Sequence, residues 1–191
     1  MVIISCTLIG VFLFWLAVKD FRTTAIKVTT SKMHTALNDF SSQTEAMYEV
    51  ANRISTDEKF QPVIFRQGKY YEKVLLDSFK YFKQAVVLSD EYFLIYHDSN
   101  TVFLSNGMLN YVDSYTKVIL EIEDVPAFRN WYSNIHTIGC YAPDNKNYIL
   151  LAFPVRSAYS QHRGTLCYRI LKSDLEQRIE YVTGGFDGRV S

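Results

Sequence analysis

An α+β fold, in which an N-terminal transmembrane helix and a long helix lead into a five-stranded antiparallel sheet with helices on one face, is predicted by three observations. Residues 1–18 (MVIISCTLIGVFLFWLAV) hold no Asp, Glu, Lys or Arg. No Gly or Pro occurs between Val11 and Gln61, a stretch in which apolar residues recur at alternating spacings of four and three. Beyond Gln84 that period gives way to short aromatic and β-branched runs divided by turn residues, an order that sets helices beside an antiparallel sheet.

The charge-free run reads as a membrane anchor, short against the usual requirement of about 20 apolar residues. A secretory leader is the rival, but the run lacks a basic leading region, and Leu16-Ala17-Val18 offers no small-x-small cleavage site. Cys6 reads as an apolar residue facing lipid. Lys19, Arg22, Lys27 and Lys32 follow against one early acid, Asp20. Taken literally, that basic excess puts the soluble part inside; a basic leader preceding Met1 would reverse the inference and account for the shortness. The far end, with Gly184-Gly185-Phe186-Asp187-Gly188 followed by Arg189-Val190-Ser191, reads as a turn opening onto a strand with nothing to pair against. Both ends are therefore expected to be cut from a longer protein.

Ile26, Thr30, Met33, Leu37, Phe40, Thr44, Met47, Ala51 and Ile54 form the stripe of one long amphipathic helix. Thr30, Thr44 and Ala51 are weak seam residues for a coiled coil, so the stripe is expected to pack on its own domain or on a partner helix of a homodimer. Ser55-Thr56-Asp57-Glu58 reads as a capping box opening a short helix that Pro62 limits. Residues 71–84 repeat the helical period. Strands are predicted at 92–97 and 101–105 around His97-Asp98-Ser99-Asn100. Residues 106–124 fit a long loop, with or without a strand near 118–122 beyond the five, and 125–134 read as a short helix with Pro126 in its first turn. Strands follow at 136–141, 148–155 and 164–171, divided by turns at Pro143-Asp144-Asn145 and at 157–163. The segment 148–155 is apolar on both alternations, as a central strand covered on both faces would be. Ser173 is expected to cap a last helix at 174–182. The organisation is thus a transmembrane helix (1–18), a stalk helix (19–59), a sheet-bearing module (60–183) and the start of a truncated second module (184–191).

Composition removes several functions. Hydrophobic residues make up 48% and Lys plus Arg (20) balances Asp plus Glu (20), which argues against disorder and against a basic nucleic-acid surface. Cys6, Cys140 and Cys167 are too few and scattered for a disulfide framework or a zinc site; Cys140 and Cys167, on different strands, read as two buried thiols, with a single disulfide as the alternative. His34, His97, His136 and His162 lack partners at metal or triad spacing, so neither cofactor nor metal is expected. Ser114-Tyr115-Thr116-Lys117 matches Ser-x-x-Lys without its structural setting, and Gly184-Gly185 lacks that of a phosphate loop. The constellation with chemistry is Arg129-Asn130-Trp131-Tyr132: a guanidinium fork, an indole N–H and a phenol suit a carboxylate. The plainer reading has Trp131 and Tyr132 packing the helix on the sheet with Arg129 in solvent.

Element order and two stretches carry a family resemblance. Phe128-Arg129-Asn130-Trp131-Tyr132 resembles the Arg-x-Trp-Tyr signature of double-Cache domains, which are PAS-like bacterial extracytoplasmic sensors. Leu150-Leu151-Ala152-Phe153-Pro154-Val155, Gly164-Thr165-Leu166-Cys167-Tyr168-Arg169-Ile170 and Asp174-Leu175 resemble that family's paired strands and closing helix. The resemblance implies a non-enzymatic, membrane-anchored sensor with its ligand-binding part outside the cell membrane. Its output would be an AraC-type DNA-binding domain or, alternatively, a histidine kinase or chemoreceptor. It further implies that Arg129, Trp131, Tyr132, Tyr141 and Asp144 bind a small molecule. Amino-acid-binding members add an aromatic residue five positions before the Arg and an acid on the last strand. Here Asp124 and either Tyr168 or Arg169 take those places, so a carboxylate or other anionic or polar ligand is expected and free α-amino acids are not. An anchored hydrolase would need a convergent nucleophile and base, which are not found in the sequence; a ligand-free scaffold would keep the helix stripe and leave Arg129 at the surface.

Overall fold

The long apolar-striped segment forms helix α1 (Val2–Thr56) in the computed structural model of the chain. The described residues are 2–60, 69–82, 86–89, 91–98, 100–156 and 163–183, with side chains from Phe14 onward in α1. The side chains of 1–13, the Val63-Ile64-Phe65 segment, the turn at 157–162 with His162, and residues 184–191 lie outside them. No helix among the described residues is long and apolar enough to cross a membrane. By internal contacts the chain divides into two compact units, Met1–Phe40 with Gln177–Ser191, and Ser41–Glu176.

In the first unit the α1 stripe is open: Phe21, Ile26, Met33, Leu37 and Phe40 are exposed, while Ala25, Thr29, Lys32 and Ala36 are half-buried. Arg178 pairs with Asp39 at 3.1 Å. In the second unit Met47, Val50, Ala51 and Ile54 are buried in the core, so the expected stripe is covered by its own domain over this part. The helix ends at Thr56. Asp57, rather than Ser55, then caps the following 3-10 turn (Glu58–Phe60), its carboxylate accepting from the Lys59 amide at 2.9 Å. Ser55 instead donates to the Ala51 carbonyl of its own helix.

Helix α2 (Lys69–Tyr81) precedes strands β1 (Glu91–Tyr96), β2 (Thr101–Leu104) and β3 (Leu109–Tyr111). A single turn α3 (Val112–Ser114), a π-helical stretch (Tyr115–Ile119) and α4 (Val125–Ser133) connect these to β4 (Gly139–Tyr141), β5 (Tyr148–Arg156), β6 (Arg163–Leu171) and α5 (Lys172–Thr183). All neighbours in the sheet are antiparallel, in the order β3-β2-β1-β6-β5-β4. The sheet therefore has six strands, not five. The additional strand is β3, turned back on β2 at Asn106-Gly107, where Gly107 holds φ 80 and its amide donates to the Leu104 carbonyl. Asn-Gly is a strong hairpin signal, but three residues carry no readable alternation. The strand expected at 118–122 is instead the end of the π-helical stretch and the loop after it, because Leu120 bonds back to Tyr115 and Ile122 to Thr116. Helix α5 leaves β6 directly at Lys172, whose amide donates to Asn147; Ser173 is inside the helix rather than its cap.

Helices cover both faces, a second departure from expectation, and the cause is the two-sided burial of β1, β5 and β6. Their even residues on β1 and β6 (Tyr92, Leu94, Tyr96, Leu166, Tyr168, Ile170) meet Met47, Val50 and Ile54 of α1, Phe60, and Phe79 of α2. The odd ones (Phe93, Ile95, Cys167) meet Val112, Tyr115, Phe128 and Tyr132. β1 and β6 are central neighbours with Tyr92 opposite Tyr168, and β5 pairs with β6 on its other side. Cys167 is buried and free, whereas Cys140, on the edge strand, is exposed and free, correcting the expectation of two buried thiols.

Three tyrosines of the α1-facing layer donate their hydroxyls to main-chain carbonyls: Tyr168 to Met47 at 3.1 Å, Tyr92 to Phe79, and Tyr96 to Phe60. Tyr168→Phe keeps the ring and removes one such bond, and is expected to lower unfolding stability by about 1 kcal/mol. Denaturant titration should show a lower midpoint at unchanged m-value; an unshifted midpoint would mean that the bond adds nothing.

Candidate functional site

The layer opposite α1 is where the sequence places chemistry. Asp124 opens α4: its side chain accepts from the Ala127 amide at 2.9 Å and Pro126 occupies the first turn, so the residue is committed as a cap. From this start, Phe128 and Tyr132 point into the core. Thr165 of β6 anchors the far end of α4, donating its buried hydroxyl to the Tyr132 carbonyl at 2.8 Å. Because that proton is used, the 2.9 Å contact between His97 Nε2 and the same oxygen requires Nε2 to be the donor.

The structure distributes the five expected site residues around α4 rather than at one point. Positions 129 and 131 are about 200° apart on a helix. Arg129, half-exposed, donates to Asp113 Oδ1 at 2.5 Å and to Asn100 Oδ1 at 3.1 Å; the Asp113 hydrogen bond, with the Tyr132 phenol second, holds its guanidinium further toward the charged form. Trp131 lies on the other flank in a ring cluster, with centroids 5.5 Å from Phe128 and 5.0 Å from Tyr141, and Phe128 is 5.5 Å from Tyr141. Tyr132 is buried, 5.4 Å from Phe128 and 5.9 Å from His97; burial raises its phenol pKa and Arg129 opposes the shift. Tyr141 is half-buried, and its phenol is raised chiefly by burial and then by the charges of Asp124 and Asp144. Asp144 is exposed in the turn after β4. Trp131, Tyr141 and Asp144 thus border one region, while Arg129 and Tyr132 border another.

The open register on β6 resolves to Arg169. Tyr168 faces α1, and Arg169 faces the α4 layer opposite Glu91 of β1. Their side chains approach to 3.3 Å at 23% and 16% exposure, and Glu91 also accepts from the Tyr115 hydroxyl at 3.1 Å. Glu91 was not singled out from sequence, although pairing 92 with 168 places 91 opposite 169 and complementary charges there stabilise a strand pair. Burial, and after it the Glu91 charge and hydrogen bond, push the Tyr115 phenol far up. Tyr148, donating to the Leu120 carbonyl at 2.5 Å, is pushed up to about 12 by burial, against the pull of Arg169. No group of three or more His, Cys, Asp or Glu among the described residues is placed to hold a metal ion.

The fold class is therefore an α+β domain with a six-stranded antiparallel sheet carrying helices on both faces. No family model matches the chain, and no curated protein matches it. Among solved structures it is similar to an extracellular ligand binding receptor from Desulfohalobium retbaense, with a TM-score of 0.50 at 12% identity over 83% of this chain and 27% of the receptor chain. At that identity the likeness is one of fold alone, and the chain spans about a quarter of the receptor's length.

Removing one partner of the Glu91–Arg169 pair leaves a charge mostly shielded from water. Glu91→Gln is expected to cost about 1–3 kcal/mol. Combined with Arg169→Met it should cost less than the two single changes added, and strict additivity in a double-mutant cycle would show the pair to be uncoupled. Alkali tests the same layer. A phenol held above its unfolded value near 10 stabilises the fold fully below that pH and loses its contribution as pH rises through the folded value. Stability should therefore fall from about pH 10 through 12 and beyond, and Tyr148→Phe should reduce that slope, as chemical denaturation at stepped pH would report.

Proposed function

We propose that the chain is a non-enzymatic sensor domain of the Cache type, membrane-anchored and extracytoplasmic, that binds a small molecule at the α4 layer and signals through α1. What carries this reading is the construction of the sheet. One face is bonded to α1 through Tyr168, and the next residue of the same strand, Arg169, faces the layer that holds α4. A shift of β6 at the α4 layer would therefore be felt at the Met47 carbonyl with no intervening element. The likeness of fold to an extracellular ligand binding receptor supports the same reading.

Recognition of the anionic group is assigned to Arg129 and Tyr132, with Trp131, Tyr141 and Asp144 bordering a second contact surface on the other flank of α4. A ligand carboxylate would exchange onto Arg129 in place of Asp113, an exchange between half-exposed groups whose pair contributes at most about 1 kcal/mol. The rings of Trp131 and Tyr141, on the other flank of α4, would supply apolar contact at a separate surface bordered by Asp144. Free α-amino acids are disfavoured, since the acid beside Arg169 is already engaged by that cation and by Tyr115. The output is assigned, by the resemblance, to an AraC-type DNA-binding domain.

Calorimetric titration of the full chain with mono- and dicarboxylates and with amino acids tests the assignment. A carboxylate should bind, and Arg129→Ala should weaken it about tenfold, the loss of a charge-assisted bidentate contact. Tight binding of an amino acid that Arg129→Ala leaves unchanged would overturn it.

A further inference from the structure

A groove of about 430 Å³ opens in the second unit between the C-terminal end of α1, the segment that follows α4 and the end of β5. Tyr48, Asn52 and Thr56, four residues apart on one face of α1, form one wall; Thr137 and Ile138, leading into β4, form the other; Pro154 and Arg156 of β5 close it. We propose that this groove is a second binding site, for a small organic oxyanion, a carboxylate or a phosphate ester with a short apolar body.

Charge makes the first argument. The lining contains no Asp or Glu. Arg156 places a guanidinium there whose one hydrogen bond to a described residue is a long one, 3.5 Å to the His136 carbonyl, and it has no acidic partner among the described residues. A cation beside a concave surface without a counter-charge is matched by a bidentate anion.

Available donors make the second. The side-chain amide of Asn52 and the hydroxyls of Tyr48 and Thr137 make no hydrogen bond to another described residue. The end of a helix carries partial negative charge that opposes an anion. At this end that opposition is reduced: Ser55 and Thr56 donate their hydroxyls to the Ala51 and Asn52 carbonyls at 2.8 and 3.1 Å, and the Asp57 amide takes the Arg53 carbonyl at 2.9 Å. Ser55 also accepts from the Arg156 amide at 3.2 Å, tying the strand that carries the guanidinium to the helix. Ile138, the Pro154 ring and the Tyr48 ring give the site its apolar contact, in a volume suited to a small molecule.

Calorimetry on the full chain with butyrate and, separately, with inorganic phosphate and propyl phosphate identifies the source of the oxyanion. At least one should bind saturably, and Arg156→Gln should weaken it about tenfold. Asn52→Ala should weaken it less, and Lys117→Gln, which removes a positive charge elsewhere, should leave it unchanged. Should Arg156→Gln not fold, amide chemical-shift mapping on the wild-type chain decides, with changes expected at 48–56 and 136–138. Absence of saturable binding by all three probes up to about 10 mM, affinity insensitive to Arg156→Gln, or shifts confined to α4 would each overturn the proposal.

Discussion

A buried phenol must find an acceptor for its hydroxyl, and in this sheet three of them find it in the helices above. Tyr92, Tyr96 and Tyr168 stand on one face of two adjacent central strands and donate to carbonyls of α2, the 3-10 turn and α1. An unmade bond of this kind costs more than a made one contributes, so the three bonds act as a register lock as much as a source of stability. Sliding the helices along the sheet by one side chain would orphan all three. The aromatic packing beneath, with Tyr92 against Phe79 at 4.8 Å and Tyr168 against Phe153 at 5.6 Å, fixes the same arrangement by shape.

The opposite layer is held differently. Its hydrophobic contacts surround a charged centre, Glu91 with Arg169 and Tyr115, and its α4 cover is tied by Thr165 to the Tyr132 carbonyl. Polar groups of this kind are sensitive to a neighbouring charge in a way that the tyrosine-locked layer is not. The sheet therefore joins a face fixed by geometry to a face responsive to electrostatics, through strands whose successive residues belong to alternate faces. That alternation couples the α4 layer to α1 in the proposed sensor.

Much of the fold was legible from local pattern. The extents of α1, α2 and α4, the β1–β2 hairpin, and the two-sided burial of β5 follow from spacing that any local window contains. β3 and the π-helical stretch did not, since a three-residue strand shows no period and a π-turn differs from a loop only in which carbonyl each amide finds.

The candidate site divides along the same line. Residue types and a signature on one helix determined that Arg129, Trp131 and Tyr132 share α4, and helical geometry alone set Arg129 and Trp131 on different flanks. Tertiary structure decided that Arg129 meets Asp113, sixteen residues away, that Arg169 rather than Tyr168 faces α4, and that Glu91 stands opposite it. The physical reason is register. A strand's own sequence specifies which residues share a face, but which face each set takes, and which charge it meets, depends on hydrogen bonds to strands far distant in the chain.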